Sequence, residues 1–307
     1  MVYYGETYDA RLEQPDWCKA SFDDAQWGKV AIRKAPFGRL TAQTSPSDKV
    51  MEQLKPVKIE KLSNGNYFVG FGKEISGWVR LINVSAPAGH KIDISFNANL
   101  YSGDNAYIFK GEGSENYAPR FNWFVFSGVE IKNWYGELKP ENIIAESVYT
   151  EVPVTSVFET SNPMFNRINE IWRTSQQDNM HGAIASDCPH RERNGYTGDG
   201  QVACITVMHN FDARAFYQKW IADMLEASDA TTGYVPNGAP GNLVVVVAWL
   251  GGQLSALCHG NFTSIMVQRI CWKITSKECK ATSATCKPGS IKRVLCFQNA
   301  PVTMAKF

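Results

Sequence analysis

The chain reads, at residues 186–200, Ser186-Asp187-Cys188-Pro189-His190-Arg191-Glu192-Arg193-Asn194-Gly195-Tyr196-Thr197-Gly198-Asp199-Gly200. Three carboxylates, two arginines and three glycines fall within this stretch, and its apolar members are only Cys188, Pro189 and Tyr196. It lacks the apolar periodicity of a buried helix or strand, and its glycines and proline favour turns. We therefore predict a loop that carries a functional site and is held in place by the elements on either side.

The spacing of Asp187, Glu192 and Asp199 leaves the three carboxylates free to converge. Two carboxyl groups are the usual machinery for cleaving a glycosidic bond, one protonating the leaving oxygen and the other activating water or attacking the sugar. Neighbouring carboxylates would keep Glu192 protonated, as an acid requires, whereas an arginine facing it (Arg191 or Arg193) would lower its pKa. The directions of the side chains decide between these two arrangements, and the sequence leaves both open.

Other interpretations of the stretch also stay open on the residues alone. Alternating acidic and basic side chains are typical of a structural ion-pair network beside a helix cap. Cys188 and His190 could be read as metal ligands, but no second pair of ligands follows nearby, and we predict no metal site. No group needed for acyl transfer accompanies Cys188, so we do not assign it as a nucleophile.

Length and composition indicate a globular protein of two or three domains. The chain has 307 residues, of which 44% are hydrophobic and 20% charged. Its net charge of +1 gives no reason to expect nucleic acid or an anionic membrane as a partner. No apolar run reaches the ~18 residues of a membrane helix, and the first residues do not resemble a signal peptide. The compartment stays open between periplasmic or secreted and cytoplasmic.

Upstream of the loop the sequence predicts β-structure. Residues 92–96 alternate apolar and polar side chains, as expected of a half-buried strand, and Asn64-Gly65 marks a hairpin turn. Short strands at this spacing favour a β-sandwich. We assign residues 1–50 to the C-terminal part of an N-terminal β-domain and residues 51–153 to a β-sandwich domain. We expect Trp78, Trp123 and Trp134 to lie in the core or at an interface rather than to bind sugar.

Helical periodicity begins at Asn162-Pro163, where asparagine suits the N-cap and proline the first helical position. This helix should end before Gly182. After the polar loop, a second helix is indicated by Val202, Ile205 and Met208. We predict a third helix capped by Asp212, with a buried stripe formed by Phe216, Trp220 and Met224.

The whole motif, from Asp187 to Arg193 and from Gly195 to Asp199, resembles the signature of the bacterial α-L-rhamnosidases of glycoside hydrolase family 78. The resemblance covers about residues 3–240 and extends to Gly5-Glu6-Thr7-Tyr8-Asp9-Ala10-Arg11, Phe71-Gly72, Gly77-Trp78-Val79, Asn210-Phe211-Asp212 and Val235-Pro236-Asn237-Gly238-Ala239-Pro240.

This resemblance implies a multidomain chain, β then α, in which β-sandwich domains precede an (α/α)6 barrel begun by residues 154–240. It implies an inverting hydrolase that needs no cofactor and acts on a rhamnose-containing glycoside or polysaccharide. Glu192 matches the general acid, while Asp187 and Asp199 match residues that bind rhamnose. Arg191 and Tyr196 complete the predicted substrate-binding set, although many members have tryptophan in the place of Tyr196.

The composition changes after residue 240. Residues 241–307 contain eight basic residues and a single acidic one, Glu278, and they hold five of the eight cysteines. If this segment is translated in a frame shifted by one base, with synonymous codons chosen freely, it gives an acidic, helical sequence. That sequence resembles the continuation expected of the family. We therefore expect residues 241–307 to be an out-of-frame tail and the chain to be a truncated fragment with an incomplete barrel. The general base of the family has no counterpart here, so we expect little activity and poor solubility.

Two other functions stay open. One is a glycosidase with the same barrel and a different sugar, which a panel of aryl glycosides would distinguish. The other is a non-catalytic carbohydrate-binding β-module, which would keep its binding when the helical part is deleted.

Overall fold

A computed structural model of the chain describes residues 4–34, 38, 40–98, 103–227, 231, 236 and 238–240. The predicted out-of-frame tail, residues 241–307, lies outside these described residues. Strands come first and helices follow, which confirms the predicted β-then-α order. Among the described helices, none combines the length and hydropathy needed to span a bilayer.

The strands of the described residues are β1 Thr7–Asp9, β2 Asp48–Leu54, β3 Lys58–Lys61, β4 Tyr67–Val84, β5 Lys91–Phe96, β6 Asp104–Ile108, β7 Glu115–Tyr117, β8 Phe124–Lys132, β9 Ile143–Thr150, β10 Met180–His181 and β11 Ile184–Ala185. The helices are α1 Pro163–Asp178, α2 Thr197–Asn210 and α3 Arg214–Ala227.

Strands β1 to β9 form one sheet, and its centre is the long strand β4. The order is β1-β6-β5-β8-β4-β9-β2, and β3 and β7 also pair with β4. The first half of β4 pairs with β8, and its second half pairs with β9. Because one strand belongs to both halves, the sheet curls around the core as a single surface. The structure thus has one curled sheet where the sequence predicts the two layers of a sandwich.

The core fills the inner face of this sheet. Ile92, Ile94 and Phe96 of β5 are buried, which confirms the predicted alternation. The ring of Phe96 stacks on that of Phe124, with 4.2 Å between ring centres. The predicted hairpin turn joins β3 to β4, where Gly65 takes the left-handed conformation that glycine tolerates best.

The predicted cap of α1 is confirmed, whereas α3 is confirmed in its buried stripe and corrected at its cap. Asn162 caps α1, since its side chain accepts a hydrogen bond from Met164 N–H at 2.9 Å. The predicted stripe of α3 is buried, and Trp220 is fully covered. The predicted cap of α3 is wrong: the first helical hydrogen bond runs from Tyr217 N–H to the carbonyl of Ala213 at 3.0 Å. The cap position therefore falls one residue after Asp212.

The apolar stripe of α1 lies on the surface. Trp172 of this stripe is half-buried, but the other four large side chains are each more than half exposed: Met164, Phe165, Ile168 and Ile171. A surface patch of this kind favours association, in keeping with the expected poor solubility. The described residues contain three helices, and the (α/α)6 barrel stays a prediction.

Candidate active site

The motif loop, residues 186–200, runs from the end of β11 into the first turn of α2. Two backbone hydrogen bonds close it: Asp187 N–H donates to the Asn194 carbonyl at 3.1 Å, and Arg193 N–H donates to the Cys188 carbonyl at 3.2 Å. A carboxylate oxygen of Asp187 also accepts from Asn194 N–H at 3.2 Å. The stretch is therefore a compact turn, as predicted, except that its last four residues are already helical.

Cys188 joins two of the three carboxylates of the motif. Its Sγ lies 3.0 Å from Glu192 Oε2 and 3.2 Å from Asp187 Oδ2, so its one proton can be donated to either group. Asp199 lies instead in the first turn of α2 and is exposed. Within the described part of the chain it makes no hydrogen bond or ion pair with the other two. The structure thus brings Asp187 and Glu192 together and leaves Asp199 apart.

Glu192 is ionised in this arrangement. The hydrogen bond from Cys188 and the guanidinium of Arg191, whose Nε lies 2.6 Å from Glu192 Oε2, lower the pKa of Glu192 to about 2. A carboxyl whose pKa is lowered in this way is ionised at pH 7. Of the two arrangements that the sequence leaves open, the chain adopts the one in which an arginine faces Glu192. This is the opposite of what a general acid requires.

The thiol of Cys188 is held in its protonated form. Burial and, next, the hydrogen bond to Glu192 raise its pKa. A protonated thiol is a poor nucleophile, in agreement with the sequence analysis, which does not assign Cys188 as one. The ligand atoms of Asp187, Cys188 and Glu192 lie within 4.8 Å of one another. Both the protonated thiol and the positive charge of Arg191 beside Glu192 disfavour the binding of a cation between these three residues. His190 does not belong to this group.

The remaining predicted residues lie at the edges of the motif loop. Arg191 is exposed, and its guanidinium faces Glu192. Tyr196 is half-buried at the cap position of α2, and its backbone pairs with that of Gly238.

Two glycines let α3 and residues 238–240 approach the motif loop closely. The carbonyl of Gly195 accepts from Ala239 N–H at 3.1 Å, and a Cβ at Gly195 would overlap the Ala239 carbonyl. Gly200 packs against the indole of Trp220, whose Nε1 donates to the Ala239 carbonyl at 2.8 Å. Since a side chain at either glycine would displace its neighbour, this contact fixes one end of the loop.

A stack of three side chains fixes the loop to the sheet. The guanidinium carbon of Arg193 lies 4.0 Å from the centre of the Trp123 ring, and the His181 ring lies parallel to Trp123 at 3.7 Å. Because both groups are so close to one ring, they occupy its two faces. Arg193 also donates to Asn122 Oδ1 and to the Pro189 carbonyl, each at 3.0 Å. The predicted interface role of Trp123 agrees with this position.

An open cleft of about 400 Å³ lies beside the stack and is lined by Asp48, Phe121, Asn122, Trp123, His181, Gly182 and Arg193. The sequence analysis did not predict this cleft, because the mostly apolar residues 121–126 look like one continuous strand. Strand β8 begins at Phe124 instead, because Asn122 Oδ1 accepts from Trp123 N–H at 2.8 Å and turns the chain. Pro119 and Asn122, two residue types that favour turns, are the local signals of this loop.

Polar groups buried between the sheet and the helices surround Ser76 of β4. Asp178 Oδ1 accepts from Ser76 N–H at 2.8 Å, and His181 Nε2 lies 3.0 Å from Ser76 Oγ. Burial raises the pKa of Asp178 from 3.8 to about 7, although the bonds from Ser76 act in the opposite direction; Glu74 adds to the increase and Lys73 opposes it. Between about pH 4 and 7 the folded chain keeps a proton that the unfolded chain has lost, so the free energy of unfolding falls as the pH rises.

His181 acts in the other direction. Burial lowers its pKa below the unfolded value of 6.5, so that the folded chain binds fewer protons than the unfolded chain in acid. Its contribution to stability therefore increases with pH up to about 6.5 and opposes that of Asp178.

Replacing Asp178 by asparagine is expected to remove the loss of stability that Asp178 causes between about pH 4 and 7. Asparagine keeps an oxygen for Ser76 N–H and cannot ionise. At pH 8 the variant should be more stable than the parent by up to roughly 4 kcal/mol, and the two should converge near pH 4. Urea unfolding between pH 4 and 8 measures this, with exposed Asp212→Asn as the control for charge. Equal stabilities at pH 8 would contradict the prediction.

A second cleft, of about 740 Å³, lies near the N-terminus of the described chain. Trp17 and Trp27 line it with 60% and 47% of their surfaces exposed. On its other side, the guanidinium of Arg120 lies 4.8 Å from the Tyr8 ring. Exposed aromatic rings can stack on the apolar face of a sugar, and the charged groups beside them can form hydrogen bonds with its hydroxyls.

Three family models match the chain in sequence. The alpha-L-rhamnosidase N-terminal domain matches residues 1–52, the bacterial alpha-L-rhamnosidase concanavalin-like domain matches residues 60–149, and the bacterial alpha-L-rhamnosidase 6 hairpin glycosidase domain matches residues 153–265. The last match extends past residue 240, where we place the change of frame. The position of that change therefore stays a prediction.

Similar proteins carry the same name. An alpha-L-rhamnosidase of Formosa agariphila is 33% identical over 251 residues, which are 76% of this chain and 26% of that protein. The solved alpha-L-rhamnosidase of Dictyoglumus thermophilum is 30% identical, with a TM-score of 0.75 over 79% of this chain and 29% of its own. That of Streptomyces avermitilis, solved with L-rhamnose, is 28% identical, with a TM-score of 0.72 over 87% of this chain and 29% of its own.

The chain thus spans about a quarter of the length of the curated relatives it matches. The three matched domains follow one another in the same order as the β and α parts of the structure. The chain belongs to the bacterial α-L-rhamnosidase family.

Proposed function

We propose that the protein to which this chain belongs releases terminal α-L-rhamnose from a glycoside or polysaccharide by inverting hydrolysis. Glu192 acts as the general acid, and Asp187, Arg191, Tyr196 and Asp199 bind the rhamnose. No metal or cofactor takes part. The observation that carries the proposal is the meeting of Asp187 and Glu192 in the motif loop of a chain from this family.

The reaction needs two carboxyl groups on opposite sides of the sugar. Glu192 gives its proton to the glycosidic oxygen as the bond from that oxygen to C1 breaks. A second carboxylate takes a proton from water as the water adds to the opposite face of C1, which inverts the anomeric centre. Glu192 ends as a carboxylate, and the β-anomer of rhamnose leaves first.

We propose further that the chain of 307 residues has little activity by itself. The pKa of Glu192 is about 2, so the proton needed by the leaving oxygen is absent at neutral pH. No residue of the sequence stands in the context of the family's general base. Completion of the (α/α)6 barrel, which residues 154–240 begin after the β-domains at 1–50 and 51–153, would have to move Arg191 away from Glu192.

The test starts from DNA sequenced across codons 235–310. If a one-base indel separates this frame from a long open one, the protein of the restored frame should hydrolyse an aryl α-L-rhamnoside. NMR during the first turnovers should show β-L-rhamnose before mutarotation mixes the anomers. An initial α-anomer would exclude inversion, and preference for another aryl glycoside would exclude rhamnose as the sugar. An intact frame would refute the predicted change of frame.

A second candidate function, sugar binding by the β part alone, is favoured by the cleft that Trp17 and Trp27 line. L-Rhamnose titrated into the full chain, with tryptophan fluorescence as the signal, separates the two sites. Binding in this cleft predicts that Trp27→Ala removes the signal change and that Glu192→Gln leaves it intact. The reverse pattern would assign the sugar to the motif loop. Trp78→Phe, inside the sheet, controls for the loss of an indole.

A further inference from the structure

We infer that Arg193 is a positioning residue, which holds the motif loop against the sheet and thereby fixes the place of Glu192. The β part of the molecule, through Asn122 and Trp123, then helps to position the general acid, although it contributes no reacting group. The role of Glu192 as acid rests on the proposed function, whereas the fixing of the loop stands on the contacts of Arg193.

The backbone at Arg193 separates the two sides of the loop. Its φ of +56° is a left-handed backbone conformation that residues other than glycine rarely adopt. Glu192 turns toward Cys188, while Arg193, one residue later, turns toward Asn122 and Trp123. Such a conformation persists where the surroundings determine it. Here those surroundings include the two hydrogen bonds of the guanidinium and its contact with the Trp123 ring.

The surface that receives Arg193 is firmly supported. His181, which covers the other face of Trp123, is only 8% exposed, and its Nε2 lies 3.0 Å from Ser76 Oγ in β4. An unbroken series of contacts therefore leads from the centre of the sheet through His181 and Trp123 to Arg193. Stacking on a partly desolvated indole is worth more than an exposed ion pair, because water screens it less.

Cys188 offers a direct readout of the position of Glu192. Its Sγ lies 3.0 Å from Glu192 Oε2, and that hydrogen bond helps to raise the pKa of the thiol. If the loop is released, the thiol gains exposure and loses its carboxylate neighbour. A residue that only added global stability would change neither property in the folded chain.

The experiment compares Arg193→Ala and Arg193→Lys with the parent, all as the full chain. Alkylation of Cys188 by iodoacetamide is followed against pH, and peptide mapping separates it from the other seven cysteines. We expect Arg193→Ala to speed this alkylation about tenfold near neutral pH and to move its midpoint toward that of an ordinary thiol. Lysine should give an intermediate rate, because it keeps the charge but not the planar fork of donors.

Arg120→Ala is the matched control. Arg120 also lies over an aromatic ring, 4.8 Å from the centre of Tyr8, and donates to the Tyr8 hydroxyl at 2.8 Å. Its loss should lower stability toward urea and leave the alkylation of Cys188 unchanged.

An unchanged rate and midpoint in Arg193→Ala, with a loss of stability like that of Arg120→Ala, would overturn the inference. If Arg193→Ala fails to fold, Arg193→Lys and Asn122→Ala decide: faster alkylation in both supports positioning, and parent rates in both refute it. These readouts require no turnover, so failure of rhamnose hydrolysis and failure of the positioning role are distinguishable.

Discussion

Replacing Glu192 by glutamine is expected to lower kcat on a phenyl α-L-rhamnoside about 10²–10⁴-fold in the protein of the restored frame. Glutamine has nearly the shape of glutamate and cannot give a proton to the leaving oxygen. The substrate should still bind, so KM should change far less than kcat. Glu60→Gln, which removes an exposed carboxylate on β3, is the control and should keep parent activity.

The leaving group decides whether the loss is a loss of acid catalysis. A dinitrophenolate departs without a proton, so Glu192→Gln should be nearly as fast as the parent on a dinitrophenyl rhamnoside. The same fractional loss on both substrates would assign Glu192 another role, such as orienting the sugar. The pH profile adds a second criterion, because the pKa of about 2 in this chain would have to rise toward neutrality in an active protein.

Local patterns predict much of the fold correctly. The alternation in β5, the hairpin turn at Asn64-Gly65 and the Asn162 cap each depend on residues a few positions apart. The curled sheet depends on pairing between distant strands. Strand β4 joins β8 in one half and β9 in the other, and no local pattern specifies that one strand serves both.

The candidate site is predicted only in part for the same reason. The motif identifies Glu192 and Asp187, and the structure brings them together through Cys188. Whether Arg191 faces Glu192 depends on side-chain direction, which the sequence does not contain. The stack of Arg193 on Trp123 joins residues 70 positions apart, so nothing near the motif indicates it.

The start of α2 shows how packing can override local preference. The sequence analysis places this helix after the polar loop, on Val202, Ile205 and Met208, and two glycines in the preceding turn disfavour an earlier start. The helix nevertheless begins at Thr197. Gly198 has open space around it, whereas Gly200 lies where a Cβ would overlap the ring of Trp220. One of the two glycines is therefore required by a contact that only the folded chain makes.

Gly200→Ala is accordingly expected to destabilise the chain, against the usual effect of this change in a helix. Alanine should gain about 0.5–1 kcal/mol over glycine from helix propensity. Overlap with a fully buried indole should cost about 1–3 kcal/mol or more, since Trp220 is tied to the Ala239 carbonyl and cannot move freely. The cost exceeds the gain, and the motif loop should loosen with it.

Gly198→Ala provides the control within the same helical turn. Apart from its chain neighbours and the backbone of α2 itself, no atom lies within 4 Å of the Cβ it would add. Only the gain from propensity remains, and this variant should be slightly more stable than the parent. Urea unfolding of both variants measures the opposite signs. A Gly200→Ala variant as stable as Gly198→Ala would show that Trp220 does not press on α2. This result would refute both the proposal that the contact between Gly200 and Trp220 anchors the C-terminal end of the motif loop and the explanation for glycine at residue 200.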